Sequence, residues 1–227
     1  MPSITKLPCE IVGMIFKNLD HIRFLLPTLL ACRYFYTSFK ESHGVEASIL
    51  RRQITPALLP HAVTLMEASR LPRPLAASSV RGLLGELYGS PGSLAARVSA
   101  LPLPVLRSMA RTHDLIHALV TDFATSAWQG VVASTIASVI LSPGEYFRIH
   151  RAFYRVELFY TLFGNGVCKD GLMPWFLRRH HPWENEQLGA VYEYLEERFA
   201  RGEWQTVYGD GEHRLTPSHS FLRCRRP

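Results

Sequence analysis

The chain has 227 residues, 47% of them hydrophobic and 19% charged, and its 25 Lys+Arg against 19 Asp+Glu give a formal charge of +6 with the ten histidines neutral. That apolar content excludes a disordered chain, and the length is well beyond a fold that disulfides must staple. Cys9, Cys32, Cys168 and Cys224 are scattered without a CxxC pair, the pattern of free thiols in a reducing compartment, so the chain is expected in the cytoplasm or nucleus.

Met1 to Lys6 lacks the basic and apolar regions of a secretory signal. From Ile11 the apolar residues Ile11, Val12, Ile15, Phe16 and Leu19 recur at helical spacing. Pro8 and Glu10 suit the start of that helix, where a missing N–H is harmless and a negative charge meets the positive end of the dipole. Ile22 to Phe39 is apolar again, but Pro27 falls within it and predicts two short helices or one kinked helix. Residues 53–77 contain Pro56, Pro60, Pro72 and Pro74 and read as an irregular crossover at a domain boundary.

Beyond it, Val80, Leu83, Leu84 and Leu87 mark a short helix ended by Gly89 and followed by a turn at residues 90–93. A longer stripe runs through Leu106, Met109, His113, Ile116, Val120, Phe123 and Ala127. No charge occurs between Asp122 and Glu145, yet Ser126, Gln129, Ser134, Thr135, Ser138 and Ser142 punctuate the run, which predicts a buried helix rather than a membrane span. Ser142-Pro143-Gly144-Glu145 is a capping box with proline at the first helical position, so a helix starts there and runs to Gly164-Asn165-Gly166. Its aromatic residues surround it on all sides, which makes it a central helix. Pro182 opens the last clear helix, with Leu188, Val191, Leu195 and Phe199 inward and Arg198 and Arg201 near the negative end before Gly202. The polar tail holds Arg214, Arg223, Arg225 and Arg226 and no carboxylate after residue 213. The basic excess therefore lies at the chain ends, where short basic runs read as solvated, and predicts no nucleic-acid partner.

Residues that could carry chemistry lack the spacing for it. His180-His181 form no HxxxH or HExxH pattern, and no metal is expected. No GxSxG elbow occurs, Gly85, Gly89 and Gly92 make no GxGxxG loop, and Cys32 reads as a small buried hydrophobe. The pairs Glu184 with Glu186 and Glu196 with Glu197 read as dipole complements and solvated faces. No catalytic or cofactor-binding residue is predicted, and the chain is expected not to be an enzyme.

The N-terminal residues Leu7-Pro8-Cys9-Glu10-Ile11, Ile15, Phe16, Leu19-Asp20 and Leu29-Leu30-Ala31-Cys32-Arg33-Tyr34-Phe35 resemble the F-box, a small module of short helices. The LPxEI opening and the Cys-Arg-aromatic segment carry the likeness, with Tyr34-Phe35 in place of the usual tryptophan. The residues 141–164 and 182–199 resemble a helical region of filamentous-fungal F-box-like proteins, so the likeness covers 3–53 and about 106–200 of the chain. Those proteins commonly continue past this helix, whereas here the chain stops soon after Phe199, as a short paralogue or an incomplete copy would.

The resemblance implies docking to a Skp-type adaptor and through it to a cullin, with the remainder presenting an unknown protein substrate. It assigns the adaptor-facing surface to Leu7, Pro8, Ile11, Ile15, Leu19, Leu30, Cys32 and Phe35. The expected architecture is all-α: an F-box-like module over 3–53, a Pro-rich connector over 54–78, an α-helical domain over 79–202 and a polar basic tail over 203–227. The alternatives are a scaffold acting outside any ligase and, more remotely, a small-molecule site or enzyme centred on the aromatic helix.

Overall fold

The computed structural model describes residues 6–131, 139–164 and 171–201, with side chains placed for all of these but 129–131. Every regular element among them is helical, so the all-α expectation holds. In chain order they are α1 (Cys9–Lys17), α2 (Leu25–Ala31), α3 (Arg33–Glu41), α4 (Val45–Gln53), α5 (Leu59–Arg70), α6 (Ala77–Gly89), α7 (Pro91–Arg97), α8 (Leu103–Val131), α9 (Pro143–Phe163), α10 (Leu172–Arg178) and α11 (Pro182–Arg201). Single 3₁₀ turns at Ile22–Phe24 and Val98–Ala100 precede α2 and α8. None of these helices is long and apolar enough to cross a membrane. Contacts group the chain into two compact units, Met1–Val63 with Pro91–His113 and Thr64–Ser90 with Asp114–Pro227. Each is taken by itself.

In the first unit α1 packs on α3 and α4, and α2 packs on α3. The core is built from Val12, Phe16, Ile22, Leu25, Ile49 and Leu50, all buried. Phe16 meets Phe35 edge-on at 5.7 Å between ring centroids, the geometry that aligns a positive ring edge with a negative ring face. Gly13 allows the close approach of α1 to the end of α3, because a Cβ there would lie 2.1 Å from Ser42 Oγ. The predicted break near Pro27 lies elsewhere. Pro27 is the third residue of α2, where its absent N–H has no intrahelical partner to lose, and the chain turns instead at Cys32, extended at φ −160° and ψ 156°.

The proline-rich stretch also differs from its reading as an irregular crossover. It contains the twelve-residue α5. Pro60 sits in the first turn, Pro72 lies past the last residue, and the ten residues between Gln53 and Pro74 that matter for a helix are proline-free. Likewise the turn expected at residues 90–93 shrinks to Ser90, since Pro91 starts α7.

In the second unit α9 packs on α11. The capping box forms as expected: Glu145 N–H donates to Ser142 Oγ, and Ser142 N–H donates to Glu145 Oε2 at 2.9 Å. From Ala152 to Leu158 every residue is buried, so this stretch of α9 is enclosed on all faces, whereas residues 143–149 are exposed or half-buried. The segment between Gly166 and Pro182 supplies a helix that periodicity did not flag. Gly171, in the left-handed region at φ 69°, starts α10, whose Phe176 packs against Phe159 and Phe163 with centroids 6.1 and 5.8 Å away. Cys168, Cys224, the tail arginines and the middle of the uncharged run lie outside the described residues.

Candidate docking surface and a buried polar cluster

Helix α1 divides its apolar residues between two faces. Val12 and Phe16 are in the core, whereas Ile11 and Ile15 are 38% and 41% exposed, as are Leu7 at 37% and Met14 at 52%. Residues 11, 14 and 15 are separated by three and four positions, which places them on one stripe of α1, and the exposed Leu7 lies just before its N-cap, Pro8. The periodicity that put Ile11, Val12, Ile15 and Phe16 on a single face therefore merged a core stripe with a surface stripe.

Helix α2 repeats the arrangement. Leu25 and Leu29 are buried, while Leu26 is exposed and Leu30, at 76%, is almost bare. Of the remaining residues assigned by resemblance, Pro8 is exposed at the N-cap of α1, and Leu19, Cys32 and Phe35 are half-buried. Cys32 is thus not the buried hydrophobe the sequence suggested; its thiol is free and partly exposed between two helices. Tyr34 holds the amino-terminal edge of the stripe in place, its hydroxyl donating to the Leu7 carbonyl and accepting from Cys9 Sγ at 3.8 Å. Met14, Phe24, Leu26 and Tyr36 are exposed too and were not assigned. Met14 was within reach of sequence reasoning, being three residues from Ile11.

Such a surface has one evident chemistry, apolar association. Burying a leucine or isoleucine side chain is worth about 1.5–3 kcal/mol, so four or five partly exposed ones can offset the association cost of roughly 4–15 kcal/mol. Leu30 has the most surface left to bury.

The second unit buries polar groups instead. Arg155 is fully buried on α9; its Nη1 donates to the Glu184 carbonyl at 2.9 Å and its Nη2 to Asn185 Oδ1 at 3.2 Å. Desolvation lowers its pKa to about 10, so it stays charged. Arg151 pairs with Glu184 Oε1 at 2.8 Å, and the His181 N–H donates to Glu184 Oε2 at 3.2 Å. Burial pushes the Glu184 carboxyl up, but Arg151, the His181 N–H, His180 and Arg155 outweigh it and hold it below its ordinary value. Glu184, in the first turn of α11, is thus a buried ion-pair partner rather than a solvated residue, whereas Glu186, Glu196 and Glu197 are exposed.

His180 is lowered to about 4 by desolvation and then by Arg155, and is neutral at pH 7. Its Nδ1 lies 3.4 Å from Glu184 Oε2 and its Nε2 lies 2.9 Å from the Tyr88 hydroxyl. A neutral ring satisfies both by donating from Nδ1 and accepting at Nε2. His180 is therefore a structural link between Tyr88 and Glu184. Tyr88 could be mistaken for a nucleophile in a Tyr-His-Glu relay, but desolvation pushes its phenol to about 12, which keeps it protonated and inert. A second histidine, His150, is fully buried and set 3.2 Å from His117. Among the described residues no group of three or more His, Cys, Asp or Glu is placed to hold a metal ion.

Arg198 also has a tertiary role that the dipole reading missed: it pairs with Asp122 at 2.7 Å and donates to Ser126 Oγ at 2.9 Å. No family model, curated protein or solved structure matches the chain.

Proposed function

We propose that the chain is a non-enzymatic F-box adaptor of the cytoplasm or nucleus, whose α1–α3 module docks a Skp-type adaptor and through it a cullin, and whose remaining helices present a protein substrate for ubiquitination. The observation that carries the reading is the exposed stripe of Ile11, Met14 and Ile15 together with the exposed Leu7 and the bare Leu30, in a segment that resembles the F-box. Monomeric domains rarely leave an organised apolar stripe open without a partner for it. The protonated phenol of Tyr88 and the neutral imidazole of His180 support reading the cluster around Glu184 as structural.

The test is co-purification. The intact chain should recover a Skp-type adaptor and a cullin, and Leu7→Asp/Pro8→Ala should lose both. Recovery of the adaptor without cullin would replace the ligase with a scaffold, and failure of the intact chain to bind the adaptor would overturn the reading.

A further inference from the structure

The first unit holds a groove of about 520 Å³ where the residues His21–Pro27 face the start of α8. Arg23, Arg107 and Arg111 line it, and among the described residues no Asp or Glu does. Arg107 and Arg111 are four residues apart on α8, a spacing at which like charges repel. Neither makes an ion pair among the described residues, while Arg23 lies over the Phe24 ring at 4.8 Å. Three guanidinium groups thus line one cleft with no carboxylate beside them among the described residues, although more than 80 residues separate Arg23 from the other two in the chain. Sequence segment sums miss such a convergence.

We infer that this groove binds an acidic peptide segment of a partner protein. Guanidinium forks match carboxylates in bidentate geometry, and a ligand's negative charge would relieve the mutual repulsion of the arginines. The remainder of the lining selects the kind of anion. Leu26, Pro27 and Pro104 form an apolar margin that a bare polyphosphate would leave uncovered. Among the described residues no Phe, Tyr or Trp lines the groove, so it offers a single-stranded nucleic acid no stacking platform. A short extended segment carrying carboxylates around an apolar side chain satisfies both parts, and the volume lies within the range of small-ligand sites. Two of the three arginines come from α8, while Leu26 and Pro27 come from α2, so the groove borders the surface proposed for the adaptor and is tested by peptide binding rather than by adaptor binding.

Fluorescence anisotropy on the full chain tests it with a labelled peptide of alternating Glu and Leu and its Gln/Leu counterpart. The acidic peptide should bind at least about tenfold tighter than the amide one and weaken as salt rises from about 50 to about 300 mM. Arg107→Gln/Arg111→Gln should lose that preference, and Arg81→Gln, at an exposed arginine that is not among the groove's lining residues, should keep it. Arg23→Gln provides a second variant if the double substitution lowers the circular dichroism signal. Equal binding of the two peptides, no binding of either, an unchanged preference in the groove variants, or tighter binding of tripolyphosphate or an oligonucleotide than of the acidic peptide would each overturn the inference.

Discussion

Helices α1 and α9 are both rich in apolar residues and use them in opposite ways. On α1, nine residues long, only Val12, Gly13 and Phe16 are buried, and isoleucine and methionine side chains remain in solvent. On α9 the run Ala152–Leu158 is buried without interruption and takes Arg155 and Glu157 inside with it. The difference teaches that burial follows position in the unit, not side-chain type. A short helix at a surface has one core stripe and a second stripe left for a partner. A helix enclosed on every side must bury whatever its sequence places there, and charged residues are then retained only where partners satisfy them.

That contrast can be broken from either side. The largest effect is expected for Arg155→Ala, which removes a buried cation and strips the Glu184 carbonyl and Asn185 of their donors; a loss of about 3–5 kcal/mol should appear in urea denaturation. Phe16→Ala should cost a similar amount, about 3–5 kcal/mol, by opening a cavity against Phe35, whereas Ile15→Ala one residue earlier should stay within about 0.5 kcal/mol. A large loss at Ile15 would mean that the stripe is core after all.

Acid should act on the second unit. Desolvation, with a small contribution from His117, lowers His150 to about 4 despite its contact with the Tyr146 carbonyl. Unfolded, the ring titrates near its ordinary value of 6.5, so between the two values the unfolded chain binds a proton that the folded chain refuses. Stability is then complete above about pH 6.5 and falls as the pH drops towards 4. Melting curves between those limits should show the decline, and His150→Gln should flatten part of it, the neutral His180 contributing in the same direction. A modest loss is expected for Ser142→Ala, which deletes the N-cap of α9 at a cost of about 1 kcal/mol in melting experiments.

How much of this was legible in the sequence depended on range. The start of α9 could be read because a capping box is a four-residue interaction, and Ser142 and Glu145 complete it locally. The prolines of residues 53–77 misled because position within a helix, not number, decides their effect: Pro60 lies in the first turn of α5 and Pro72 beyond its end. The surface residues Leu7, Ile11, Ile15 and Leu30 could be named by resemblance, but periodicity could not separate Ile15 from Phe16, since adjacent residues on a helix diverge by about 100° and both belong to an apolar run. The ion pair of Arg151 with Glu184 and the convergence of Arg23 with Arg107 and Arg111 depend on tertiary packing and leave no local signal.

The exposed stripes of α1 and α2 as a docking surface are tested most directly by titrating a purified Skp-type adaptor into the intact chain by calorimetry. A saturable one-to-one complex is expected. In Ile11→Asp/Leu30→Asp, with an unchanged melting temperature, the affinity should fall by about a hundredfold or more, the loss of two apolar contacts worth roughly 1.5–3 kcal/mol each. The absence of binding by the unaltered chain, or equal affinity in the double variant, would contradict the account.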